Sequence, residues 1–74
     1  MTGKLKIMDR RGHTTVEWST DLQETVDAAN QKFNEMLEHG YTAFVMHDTN
    51  TGERVTEFSE DAESIVMIPR MVGG

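Results

Sequence analysis

Ser59-Glu60-Asp61-Ala62-Glu63-Ser64-Ile65-Val66-Met67-Ile68 is the stretch on which the fold turns: a polar, turn-forming lead and then four consecutive apolar residues. A short unbroken apolar run bounded by turn residues predicts a strand covered on both faces, inside a sheet rather than at its rim. Such a strand so late in the chain inserts among strands laid down earlier. The question is then which earlier segments flank it.

Immediately before it, Tyr41 to His47 predicts a strand, Asp48-Thr49-Asn50-Thr51-Gly52 a loop of turn formers, and Glu53 to Phe58 a returning strand. Further back, Leu22, Val26, Ala29, Phe33, Met36 and Leu37 recur at three- and four-residue steps and predict a helix over Asp21 to His39. Thr20 and Gln23 have the form of a capping box, Asp21 and Glu24 suit the positive end of the helix dipole, and Gly40 is a natural stop. At the start, Lys4 to Asp9 alternates with Leu5 and Ile7 on one face. Arg10-Arg11-Gly12 turns, and His13 to Trp18 returns with Thr14, Val16 and Trp18 together. The order is hairpin, helix, hairpin, buried last strand, an α+β arrangement of one helix packed on one sheet.

Composition bounds what such a chain can do. At 74 residues it forms one domain and buries only about 60% of its unfolded surface, so a deep substrate cavity is not expected. It has no cysteine, which excludes a disulfide framework and fits a reducing cytoplasm, as it also fits a disulfide-free exported protein. No charged-then-apolar leader opens the sequence, and its longest apolar run falls far short of the ~20 residues that span a bilayer. The expectation is a soluble, cytoplasmic monomer with no membrane partner. Thirteen acidic against seven basic residues, a net charge of −6, argue against nucleic-acid binding and fit a basic protein partner or simple solubility.

The chemistry lies in the tail, Pro69-Arg70-Met71-Val72-Gly73-Gly74. Gly73 and Gly74 have no side chains, so an enzyme's narrow channel can close on their backbone and reach the terminal carboxylate. A partner enzyme can adenylate that carboxylate with ATP, making an acyl group open to a thiol, a sulfur donor or a lysine amine. The plain alternative is an ordinary frayed end.

The run Asp61 to Gly74 resembles the ending of the molybdopterin-synthase small subunit and related sulfur carriers, in which an acidic turn leads into an apolar strand and a proline precedes a terminal Gly-Gly. The tail is also similar to that of ubiquitin, with an arginine at the place of Arg70. The resemblance implies a β-grasp, ubiquitin-like fold in ββαββ order with a buried last strand: a domain over 1–68 and a flexible tail over 69–74. It implies an activated Gly74 with Gly73 behind it, and Arg70, Met71 and Val72 as contacts of a ubiquitin-activating-type adenylating enzyme. ATP would be used by that partner and no cofactor bound by this chain. A conjugating enzyme or a deconjugating protease would follow, with an isopeptide bond as product. The sulfur carriers usually have a second proline where Arg70 stands, and the short first hairpin is closer to ubiquitin, so the balance tips toward a protein modifier. A carrier forming a C-terminal thiocarboxylate is the alternative within the class.

The remaining residues carry less. Lys4, Lys6 and Lys32 are candidate acceptor amines, equally readable as solubilising residues on an edge strand and a helix. His13, His39 and His47 fall on separate elements without metal-ligand spacing, so no metal is expected. Asp48, Glu53, Glu57, Glu60, Asp61 and Glu63 read as a solvated acidic face. No hydroxyl has a histidine base at suggestive spacing, which argues against an enzyme. Phe44, Met46 and Met67 are candidates for a partner-binding face on the uncovered side of the sheet. A non-enzymatic binding or regulatory module on the same scaffold is the rival reading.

Overall fold

The computed structural model describes residues 1–9, 12–47 and 51–69. The chain runs β1 (Thr2–Asp9), β2 (Gly12–Ser19), α1 (Gln23–Glu38), β3 (Thr42–Met46), β4 (Gly52–Val55) and β5 (Ser64–Ile68). These strands make one five-stranded mixed sheet in the order β2-β1-β5-β3-β4. The late strand does insert: β5 lies between β1, to which it is parallel, and β3, to which it is antiparallel. Ile65 stands level with Leu5 and Val45, and Met67 with Ile7 and Ala43. The molecule is therefore α+β, with one helix on a mixed sheet. Among the described residues no helix is long and apolar enough to cross a membrane.

The unbroken apolar run predicts cover on both faces of β5, and the structure supplies it on one. Ile65 and Met67 are fully buried, whereas Val66 is half-buried and Ile68 is 45% exposed. Strand residues alternate between faces, and the helix packs on the face that carries Leu5, Ile7, Trp18, Ala43, Ile65 and Met67. Val26, Ala29 and Phe33 meet them from α1. Full burial of an aliphatic or phenyl side chain such as Phe33 or Ile65 is worth about 1.5–3 kcal/mol, so a handful of such residues carries this small core.

The helix ends as expected and begins differently. At its C-terminus Gly40 has φ 91°, its N–H donates to the Leu37 carbonyl, and the N–H of Tyr41 donates to that of Met36. This paired closure needs a left-handed residue, which is why glycine stands there. At the N-terminus there is no capping box. Leu22 occupies the cap position without a side-chain bond and is 53% exposed, off the apolar stripe. The Thr20 hydroxyl donates instead to the Met1 carbonyl at 3.1 Å, tying the chain start to the end of β2. The Gln23 amide reaches forward to Asp27. Thr25 takes over the local bonding, accepting from Ser19 N–H at 2.9 Å and lying 2.6 Å from the Leu22 carbonyl.

Trp18 locks the long connection between β4 and β5. Its ring lies over Gly3, its register partner, where a Cβ would stand 2.1 Å from the indole Cζ2 and 2.8 Å from the Ala62 carbonyl. The indole N–H donates to the Glu60 carbonyl at 3.1 Å. Phe58, expected at the end of the fourth strand, lies beyond β4 and packs edge-on against Trp18, centroids 4.9 Å apart, and against Phe33 at 5.8 Å. The side chain leaves the ladder because the core offers it two rings that the short edge strand does not.

Candidate functional site

β5 determines where the C-terminal segment starts. Because it runs parallel to β1, both strands end on the same rim of the sheet, where β2 and β3 begin and Ile68 pairs with Thr42. Pro69 follows β5 at once and is half-buried. Arg70, Met71, Val72, Gly73 and Gly74 lie outside the described residues. So does Asp48 of the acidic set.

The sheet face away from α1 is read directly from the register. Across its middle run Thr15, Lys6, Val66, Phe44 and Arg54, one from each strand. Lys4 and Ser64 flank this row on one side, and Met8, Ile68 and Thr42 on the other, nearest the exit of the chain. Val66, Phe44 and Met46 are half-buried, while Met8 and Ile68 are 43% and 45% exposed. Phe44 and Met46 thus stand on the uncovered side as expected. Met67 does not: it is fully buried under the helix, and Val66 takes the place assigned to it. The unbroken run Ile65 to Ile68 hides its alternation, so parity could be set only by the pairing with β1.

Charge is divided between the faces. Lys4, Lys6 and Arg54 project from the open face, and among its described strand residues Glu17 is the one carboxylate, 3.8 Å from Lys4. The opposite side carries Glu24, Asp27, Glu35 and Glu38 on α1, with Lys32 reaching Glu35 at 3.7 Å. Glu57, Glu60, Asp61 and Glu63 stand exposed between β4 and β5 without an intervening cation. An acidic chain thus presents a locally cationic and apolar surface beside its C-terminal exit, which composition alone conceals. Lys4 and Lys6 sit on β1, which is flanked by β2 and β5 and is not an edge strand. Their amines point from the middle of the open face.

The histidines are not brought together. His13 lies on β2, His39 caps α1, and His47 follows β3 with Nε2 3.3 Å from Glu53. Among the described residues no group of three or more His, Cys, Asp or Glu side chains is placed to hold a metal ion, and no buried side-chain polar atom lacks a partner. Sequence reasoning missed Val66, Lys6 and Arg54 as neighbours on one surface. The signal was present in the alternation of β1 and became usable once the strand order was known. Comparison with protein-family models, curated proteins and solved structures gave no match to this chain.

Proposed function

We propose that this chain is a ubiquitin-like protein modifier with a β-grasp fold, acting in the cytoplasm, whose terminal Gly73-Gly74 is activated by an adenylating enzyme. The observation that carries the reading is the position of β5: last in sequence, central in the sheet and parallel to β1, it hands the chain out at Pro69 beside the open face. In the proposed reaction a Gly74 carboxylate oxygen attacks the α-phosphorus of ATP and pyrophosphate leaves. A partner thiol then attacks the acyl carbon, forming a thioester and releasing AMP, and a lysine amine or a sulfur donor takes the acyl group in turn. Arg70, Met71 and Val72 are the recognition segment. The open face, with Val66, Phe44 and Ile68 between Lys6 and Arg54, provides a grip for an apolar, acidic surface on the enzyme.

Two features favour a modifier over a sulfur carrier: Arg70, and the tight first hairpin, in which β1 ends at Asp9 and β2 begins at Gly12. The open face also favours a second reading, a binding module that uses the sheet and not the tail. Mass spectrometry of the protein incubated with ATP and an adenylating enzyme from its own source separates the two. An adenylate or thioester at Gly74, lost in a variant lacking Gly73-Gly74 that stays folded, is the expected result. Adduct formation by that truncated variant would sink the carrier reading, and binding without any adduct would establish the module.

A further inference from the structure

The two edges of the sheet are unequally defended. β4 is four residues long and carries Glu53 and Arg54, a common way of discouraging strand addition. β2 is eight residues long, pairs with β1 without a bulge and contains neither proline nor lysine. Its free side follows from the hydrogen bonding of β1. The N–H of Lys4 donates to the Glu63 carbonyl at 3.1 Å, so at Lys4 the backbone of β1 faces β5. Backbone groups alternate sides along a strand, so Leu5 and Ile7 face β2 and bond to Val16 and Thr14. The N–H and carbonyl groups of His13, Thr15 and Glu17 therefore point out from the edge. Ser19, next in phase, is capped: its N–H donates to Thr25 Oγ1 at 2.9 Å and its carbonyl accepts from Leu22 N–H at 3.0 Å.

We infer that this open segment of β2 pairs antiparallel with β2 of a second copy of this chain, about a twofold axis through Thr15. The sequence His13-Thr14-Thr15-Val16-Glu17 is self-complementary in that register. Thr15 meets Thr15 of the second copy, His13 meets Glu17 of the second copy at both ends, and Thr14 meets Val16 on the helix side. Threonine pairs are favourable across strands, and an imidazole N–H of His13 can donate to the Glu17 carboxylate opposite it. All three outward residues fall in hydrogen-bonded positions, which join the two sheets into one. The existing partner of Glu17 does not hold it, since Lys4 is 3.8 Å away and both side chains are more than half exposed. Two chains of net charge −6 repel, so association requires high protein concentration and strengthens with added salt, which screens that repulsion.

Sedimentation equilibrium of the full chain tests this. The average mass rises from 8.4 kDa toward twice that value as concentration approaches about 1 mM, and rises earlier at high salt. Thr15→Pro removes the central outward N–H without touching the bonds to β1, and this variant stays monomeric while its circular dichroism is unchanged. Because the chain has no cysteine, Thr15→Cys supplies an independent readout: opposed residues of a hydrogen-bonded pair lie about 5.5 Å apart, within disulfide reach, and mild oxidation gives a covalent dimer. Asp27→Cys, on the helix, crosslinks far less at the same concentration. A mass fixed at the monomer value, an association curve unaltered by Thr15→Pro, or equal crosslinking of the two cysteine variants overturns the inference.

Discussion

The same strands build two unlike surfaces. On the helix side Leu5, Ile65, Met67, Ala43 and Phe33 are fully buried, and among the described residues no charged side chain is buried with them. On the open side the intervening residues Lys4, Lys6, Val66, Phe44 and Arg54 alternate cation with hydrocarbon. One face is spent on stability and the other remains available for recognition. In this domain the two roles separate by strand parity, because α1 packs on one face of the sheet and leaves the other open.

Phenylalanine offers the sharpest way to break that comparison. Phe33→Ala empties the helix-side core and is expected to cost about 3–5 kcal/mol in urea unfolding, whereas Phe44→Ala, half-buried on the open face, costs about 1 kcal/mol. Equal losses would mean that the open face is also structural. On the proposed function, Phe44→Ala also weakens binding of the adenylating enzyme, read as a raised KM for the protein in the adenylation assay. Gly3→Ala comes next: a methyl placed 2.1 Å from Trp18 Cζ2 and 2.8 Å from a backbone oxygen has no room. A loss of about 1–3 kcal/mol, with a shift in Trp18 fluorescence, is the expected outcome. Gly40→Ala forces alanine to φ 91° and should cost about 1 kcal/mol by the same measurement. The smallest effect belongs to the open face: Lys4→Ala removes an exposed pair with Glu17 and should change stability by less than about 0.5 kcal/mol.

Elements with strong periodicity were legible in advance. The stripe through Val26, Ala29 and Phe33 does face the sheet, and Gly40 does stop the helix. Signals that rested on a single side chain fared worse. Thr20 and Gln23 match a capping box in spacing, yet Thr20 is claimed by the Met1 carbonyl, a partner nineteen positions away. Phe58 reads as the end of a strand and instead completes a cluster with Trp18 and Phe33. Local spacing cannot register competition from a distant group. The tail glycines, Gly73 and Gly74, lie outside the described residues.

What the sequence determined by itself is the order of elements, the identity of the helix stripe and the acidic balance of the chain, because periodicity, turn residues and charge are local or additive properties. What only the tertiary structure decided is the neighbourhood of β5. Its apolar run Ile65 to Ile68 has no internal mark of which residues face α1. The parallel pairing with β1 sets that parity, burying Met67 and turning Val66 toward Lys6 and Phe44. Register between strands sixty residues apart is a property of the assembled sheet, fixed when the long-range contacts form together.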